Sequence, residues 1–168
     1  MERNQAVPKR QFWLFKSEPR EFSITDLENA PGHTTTWSGI RNYQARNLLR
    51  DQVQLGDQVF FYHSSTADKG IVGVCEITRT AHADPTALDP NSPYFEPRAT
   101  TAEPIWLAVD VTLVHRFPVL IPLSILKSTD GLERMGVCRP GNRLSIQPVS
   151  ADEWKIVLTL VKKLASRR

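Results

Sequence analysis

One short segment in the first third of the chain combines residue types that can hold a flat, polar ligand. Trp37 stands directly before Ser38 and Gly39, and Arg41 and Asn42 follow. A tryptophan ring beside a glycine offers an aromatic face next to backbone that a ligand can approach closely, because glycine has no side chain. A helix that begins at about Arg41 would add free N–H groups and the positive end of its dipole. Aromatic, amide and cationic groups together are what proteins use to bind an unstacked nucleobase.

The same segment allows an interpretation without any ligand. Trp37 can be a core residue, and Arg41, Arg46 and Arg50 can form a solvated helix face. Spacing alone slightly favours this second interpretation, so both stay open at this point.

Catalytic motifs are not recognisable in the sequence. It contains no G-x-S-x-G nucleophile elbow, no P-loop and no G-x-G-x-x-G motif. His63 lies beside Ser64, but neighbours in sequence are not a catalytic triad, because nucleophile, base and orienting carboxylate must converge in space. Lys16 and Glu18 are the remaining candidate for an acid–base pair. No His/Cys cluster has metal-ligand spacing. We therefore expect no enzyme, no metal and no cofactor.

Hydrophobic patterning places several of these residues at strand ends. An aromatic and apolar run predicts a first strand that stops at the polar segment 16–19, which ends in a proline. Later runs rich in β-branched and aromatic residues predict further strands. These strands cover residues 58–63, 71–83, 104–117 and 144–149. Between the third and fourth strands lies a long proline-rich crossing, which we expect Tyr94 and Phe95 to order by packing.

Helices are predicted mainly from their first residues. Ser23 and Ser150 each begin a capping-box pattern, in which a serine is followed three residues later by an acidic residue. A second helix is expected over about residues 41–51 and a short one over residues 122–126. Strands with peripheral helices indicate an α+β domain around a small, partly closed barrel.

Length and composition are those of a single globular domain. The chain has 168 residues, a net charge of +3 and a pI of about 9.0, which permits a nucleic-acid partner without requiring one. We expect residues 1–10 to be a disordered leader and residues 11–165 to be the domain. No apolar run approaches the ~20 residues of a membrane helix, and no signal peptide is visible. The expectation is a soluble, cytoplasmic monomer with no membrane contact.

Several segments together resemble the EVE domain. They are FWLFKSEPREFSITDL, WSGIRNYQARNLLRD, GDQVFFYHSS, GIVGVCEI, DPNSPYF and GNRLSIQPVSADEW, and the likeness runs from about Phe12 to Leu158. The resemblance implies a PUA-like fold, a compact mixed β-barrel with flanking helices that is related to YTH and ASCH domains. It also implies a non-catalytic reader of modified DNA bases, which binds a flipped base in an aromatic pocket.

The resemblance also assigns site residues. The implied base pocket consists of Lys16, Ser17, Glu18, Trp37, Gly39, Asn42, Tyr62, His63, Ser64, Ile71, Val72, Asn142, Arg143 and Leu144. Arg41 and Arg46 are the expected phosphate-binding residues.

Two alternatives to a DNA reader remain. PUA-like and YTH relatives bind RNA, so the partner can be RNA, and 2′-hydroxyl contacts leave no sequence motif. An ASCH-like nucleoside hydrolase or ribonuclease is the second alternative, and it would use Lys16 and Glu18 as acid and base.

Overall fold

The computed structural model describes residues 9–167, which form a mixed α+β domain. The strands are β1 (Phe12–Ser17), β2 (Thr34–Trp37), β3 (Gln58–His63), β4 (Gly70–Ala83), β5 (Leu107–Pro122) and β6 (Ile146–Val149). The helices are α1 (Ile24–Asn29), α2 (Tyr43–Asp51), α3 (Leu123–Lys127) and α4 (Ala151–Ala165). Short 3₁₀ turns cover Pro31–His33, Pro85–Leu88 and Gly136–Cys138. The expected α+β class is confirmed.

The strands form one strongly curled sheet in the order β2-β5-β4-β3-β1-β6. β1 and β3 run parallel, and all other neighbouring strands are antiparallel. The register between the long strands β4 and β5 shifts at several points, and such irregularities bend and twist a sheet. The curl brings the edge strand β2 back over β1 and β3. The ring centre of Trp37 lies 5.5 Å from that of Phe15 and 5.1 Å from that of Phe61.

This sheet does not close, so the expectation of a compact β-barrel is wrong in that respect. β2 and β6 lie at opposite ends of the strand order, and in the described part of the chain they do not pair with each other. Each has only four residues, which leaves few backbone groups for a closing ladder. Trp37 of β2 packs instead on Phe15 of β1 and Phe61 of β3. The PUA-like fold that the resemblance implies stays a prediction.

Core side chains cover both faces of the sheet, because successive strand residues point to opposite sides. In β1, Trp13 and Phe15 join the apolar cluster under α1 and α2, whereas Leu14 joins the cluster under α3 and α4. In β3, Phe60 stacks on Trp154 of α4 with ring centres 3.7 Å apart. This alternation decides which side chains at the ends of β1 and β3 face α1 and α2 and which face α3 and α4.

The helix starts follow the sequence predictions closely. Both capping boxes are confirmed, with Ser23 capping α1 and Ser150 capping α4. α2 begins at Tyr43 rather than at about Arg41, because the Asn42 side chain caps the helix by accepting a hydrogen bond from the Ala45 N–H at 3.0 Å.

One strand was not expected, and two further expectations concern the leader and a membrane helix. The edge strand β2 was not predicted, because its sequence TTTW has no apolar alternation. Residues 1–8 of the expected leader lie outside the described residues, and Lys9 and Arg10 are exposed. Within residues 9–167, no helix is long and apolar enough to cross a membrane.

Candidate functional site

A cavity of about 780 Å³ opens in the gap between the edge strand β2 and the end of β1. This volume is within the usual range for pockets that bind small ligands. Its walls come from the end of β1, from β2 and the turn after it, from the segment after β3, from the proline-rich crossing and from the loop before β6. The lining residues are Lys16, Ser17, Glu18, Glu21, Phe22, Thr35, Thr36, Trp37, Ser38, Gly39, Ile40, Ser64, Ser65, Pro93, Tyr94, Asn142, Arg143 and Ser145.

The parallel pairing of β1 and β3 brings two polar segments to one edge of the sheet. Ser17 is opposite His63 in the register, and the Ser64 N–H donates to the Ser17 carbonyl at 2.9 Å. On the other side of β1, the Lys16 N–H donates to the Ser145 carbonyl at 2.8 Å and so fixes the loop before β6. The structure thus places residues 16–18, Ser64 and this loop around one opening.

Lys16 is the partly buried cation of the cavity. Burial lowers the pKa of its ammonium group, because desolvation disfavours the charged form. In the described part of the chain, this ammonium group has no ion-pair partner. Glu18, which is also partly buried, lines the same cavity and likewise lacks an ion-pair partner there. Cavity walls with unpaired groups of both signs can bind a ligand that has hydrogen-bond donors and acceptors.

Trp37 belongs to the core and to the cavity wall at once. Its side chain is packed between Phe15 and Phe61 and only 6% exposed, yet it lines the opening. The interpretation of Trp37 as a core residue is confirmed, and its role in holding a ligand stays a prediction.

Gly39 and Tyr94 form the wall opposite β1. Gly39 has φ +82°, and a Cβ there would lie 3.3 Å from the Tyr94 ring, so both conformation and space favour glycine. The Tyr94 hydroxyl donates to the Glu21 carboxylate at 2.9 Å. From the sequence, Tyr94 was expected only to pack in the crossing, and Glu21 was not predicted to line a site. The segment DPNSPYF within the EVE resemblance was the signal that could have identified Tyr94.

A buried carboxylate, Asp84, holds this wall in place. It accepts hydrogen bonds from the Gly39 N–H at 2.8 Å, from Arg41 Nη1 at 2.9 Å and from Thr86 Oγ1 at 2.6 Å. Burial alone would raise the pKa of the Asp84 carboxyl, but the hydrogen bonds from Thr86, Arg41 and Gly39 outweigh burial and hold that pKa below its ordinary value. Arg41 Nη2 also donates to the Tyr94 carbonyl at 2.6 Å.

The two predicted phosphate-binding arginines are thus bonded to the protein itself. Arg41 joins Asp84 to the Tyr94 backbone. Arg46 donates to the Ile105 carbonyl at 3.0 Å and to the Asn47 side chain at 2.9 Å. Neither guanidinium can turn toward a ligand without breaking these hydrogen bonds.

Of the implied base-pocket residues, the structure brings together at the cavity Lys16, Ser17, Glu18, Trp37, Gly39, Ser64, Asn142 and Arg143.

The structure places the other predicted pocket residues elsewhere. Tyr62 and Ile71 are buried in the cluster under α3 and α4, on the opposite face of the sheet from Trp37. His63 lines a second cavity, and its Nε2 accepts a hydrogen bond from the Ile24 N–H at 3.1 Å. Strand alternation explains the position of Tyr62, because Phe61 packs on Trp37 and the next residue of β3 points to the opposite face of the sheet.

The last three predicted pocket residues also lie away from the cavity. Val72 lines that same second cavity, and Asn42 and Leu144 line a separate groove. No group of three or more His, Cys, Asp or Glu side chains among residues 9–167 is arranged to hold a metal ion.

Comparison with known proteins gives consistent matches over most of the chain. The EVE domain family matches residues 11–160. Human thymocyte nuclear protein 1 is 41% identical over 167 residues, which cover 90% of this chain and 74% of that protein. A protein of Leishmania major has a TM-score of 0.88 and 43% identity, covering 94% of this chain and 98% of that chain. The structure of human THYN1 in complex with 5-methylcytosine-containing DNA has a TM-score of 0.84 and 40% identity, covering 90% of this chain and 97% of that chain.

Proposed function

The chain belongs to the EVE domain family, and from this premise we propose that it binds nucleic acid and reads one modified base in the cavity between β2 and β1. The relative human THYN1 has been solved in complex with 5-methylcytosine-containing DNA. The ligand that we propose first is accordingly DNA that contains a methylated cytosine.

The observation that carries this proposal is the combination of aromatic walls and unpaired polar groups in one cavity. Trp37 and Tyr94 supply apolar surface, while Lys16 and Glu18 supply a donor and an acceptor. A nucleobase matches this lining, because its faces are apolar and its edge carries donors and acceptors. A base reaches a cavity of this kind only when it leaves the helical stack, at a cost of a few kcal/mol.

Cytosine and its methylated form fit the polar groups in a specific way. The exocyclic amino group of cytosine is a donor, and carboxylates such as Glu18 accept hydrogen bonds from it. The Lys16 ammonium group can donate to the carbonyl oxygen of the base. The aromatic walls then contact the ring and its methyl group. RNA remains the alternative partner, since a base splayed from a single strand presents the same edges.

A binding panel tests this proposal. Fluorescence titrations with matched DNA and RNA oligonucleotides that differ in one base (cytosine, 5-methylcytosine, adenine or N6-methyladenine) measure the preference of the wild type. We expect Tyr94→Ala to lower affinity for the preferred modified oligonucleotide by about tenfold, because base stacking on aromatic side chains contributes ~1–3 kcal/mol. Affinity for the unmodified oligonucleotide should change much less.

The matched control is Phe95→Ala, which removes the neighbouring aromatic side chain. Phe95 is 38% exposed and does not line the cavity, so this variant should keep the wild-type preference. A wild type that distinguishes no modified base from its parent base would show that the cavity is not a modified-base pocket.

One observation favours a second candidate, a hydrolase that acts on nucleosides or RNA. A lysine with a lowered pKa in a cavity with a carboxylate is a combination that active sites also use. Incubation with nucleosides and short RNAs, followed by chromatography, tests this candidate. Product that forms with the wild type and disappears with Lys16→Met would favour the hydrolase over the reader.

A further inference from the structure

We propose that the loop Arg139–Leu144, together with the beginning of α2, binds the sugar-phosphate backbone that flanks the base in the cavity. This inference rests on the proposed function, because it identifies the surface along which the nucleic-acid strand runs. It also replaces Arg41 and Arg46 with a different pair of arginines as the phosphate-binding residues.

A groove beside the cavity carries this proposal. Its volume is about 480 Å³, and its polar lining includes Asn42, Gln44, Arg139 and Arg143. Asn142 and Arg143 line both the groove and the base cavity, so the two openings adjoin each other. Among the described residues that line the groove, none is acidic. The base cavity differs, because its lining has Glu18 and Glu21 as well as cations.

The end of the loop is hydrogen-bonded to the domain, whereas the loop arginines are exposed. The Leu144 carbonyl accepts a hydrogen bond from Nε2 of the buried Gln147 at 2.8 Å, and the Leu144 N–H donates to Asn142 Oδ1 at 3.2 Å. Arg139 and Arg143 are exposed, and within residues 9–167 neither forms an ion pair. A fixed backbone with exposed guanidinium groups is suited to binding an anion at a defined place.

Chemistry and connectivity identify the anion. A base that enters the cavity stays covalently attached to its sugar, so its flanking phosphates must lie at the cavity mouth. Guanidinium groups bind phosphate oxygens through paired N–H donors, and the amides of Asn42 and Gln44 add neutral donors. The groove adjoins the cavity at Asn142 and Arg143 and has the matching charge, so it is the surface that we expect to meet these phosphates.

The test measures how affinity depends on salt. We make Arg139→Gln, Arg143→Gln and the double variant, and titrate each with modified and unmodified oligonucleotides between 50 and 200 mM salt. Each single variant should lower the affinity for both oligonucleotides by the same factor. It should also reduce the slope of log affinity against log salt by about 0.9 for DNA. The double variant should reduce the slope by roughly twice as much. The preference for the modified base should stay at the wild-type value.

Arg79→Gln is the matched control, because Arg79 is an exposed arginine that lines neither the groove nor the cavity. If Arg139→Gln and Arg143→Gln change the slope no more than Arg79→Gln does, the proposal is overturned. A loss confined to the modified oligonucleotide would make Arg143 a base-reading residue and also overturn it. Thermal melting checks that each variant is folded.

The same titrations separate this inference from the function on which it rests. A wild type without preference for a modified base, combined with the expected slope changes, rejects base reading and keeps the backbone-binding surface. A wild type that binds neither DNA nor RNA at 50 mM salt overturns both.

Discussion

Lys16 is the residue at which the electrostatics of the cavity can be measured directly. Burial lowers the pKa of its ammonium group below the ordinary value of 10.5, so the charged form destabilises the folded state at neutral pH. This destabilisation disappears as pH rises from the folded-state pKa towards 10.5. We predict that Lys16→Met raises the melting temperature of the free protein at pH 7 and that the gain shrinks as pH approaches 10.5. Calorimetry at matched pH values measures both effects.

Lys155→Met serves as the control for Lys16, because Lys155 is an exposed lysine on α4. Its effect on the melting temperature should be small at every pH. If the gain in melting temperature of Lys16→Met stayed constant up to pH 10.5, burial would not perturb the pKa of this ammonium group.

Trp37 illustrates why a cavity residue can be a poor reporter of binding. Its ring packs on Phe15 and Phe61, and truncation of a buried tryptophan to alanine costs about 3–5 kcal/mol of folding free energy. A loss of binding in Trp37→Ala would thus mix unfolding with the loss of a contact. Tyr94 is half-buried and comes from a loop, so its removal disturbs the core less.

Asp84 acts at the scale of elements, because it joins the end of β4 to the turn after β2 and, through Arg41, to the crossing that carries Tyr94. Hydrogen bonds to a charged group contribute ~1.5–3 kcal/mol each, and the partly buried Arg41 guanidinium would lose its carboxylate partner. We predict that Asp84→Asn lowers the free energy of unfolding at pH 7 by about 1.5–3 kcal/mol. Urea denaturation measures this change.

Two controls test the role of Asp84: measurements at acid pH, and a variant that breaks an ion pair on the surface. Its folded-state pKa is below the ordinary value of 3.8, so its stabilising effect is present above pH 3.8 and is lost as pH falls through the folded-state pKa. The difference between the wild type and Asp84→Asn should accordingly narrow below pH 3.8. Asp51→Asn breaks an ion pair with Arg50 in which both side chains are exposed, so it should lower the free energy of unfolding much less than Asp84→Asn does. If Asp84→Asn and Asp51→Asn lowered the free energy of unfolding equally, the role of Asp84 would be contradicted.

At the scale of the whole molecule, hydrogen bonds of Gln11 connect the residue before β1 to the segment before β3. Its backbone N–H donates to the buried Asp57 carboxylate at 3.1 Å, and its side chain donates to the Gln52 carbonyl at 2.7 Å. We predict that a chain starting at Lys9 melts at the same temperature as the full chain. A chain starting at Phe12 should melt roughly 3–10 °C lower, because it loses hydrogen bonds to a buried charge.

Scanning calorimetry of these two chains beside the full chain makes the measurement. Equal melting temperatures for the Lys9 and Phe12 chains would show that the Gln11 contacts contribute nothing to stability. A lower melting temperature for the Lys9 chain would instead show that the first eight residues stabilise the domain.

The sequence alone determined the features that arise from interactions within a few residues. The capping serines Ser23 and Ser150 identified two helix starts, and the pattern QVFFYH identified β3 with its observed bounds. Membership of the EVE family was also readable from motifs spread along the chain. These signals are local, because caps and strand alternation depend on neighbouring backbone and side chains.

Only the tertiary structure decided which side chains meet. Tyr62 and Trp37 lie on opposite faces of the curled sheet, and no local pattern states which face a cavity will occupy. Arg41, expected at a helix start, forms an ion pair with Asp84, which is far along the chain, and so connects parts of the protein to each other. That the sheet stays open could not be predicted from the sequence either, because closure depends on whether the two short end strands β2 and β6 can pair with each other. Long-range pairing sets these outcomes, and it places the exposed arginines Arg139 and Arg143 beside the cavity.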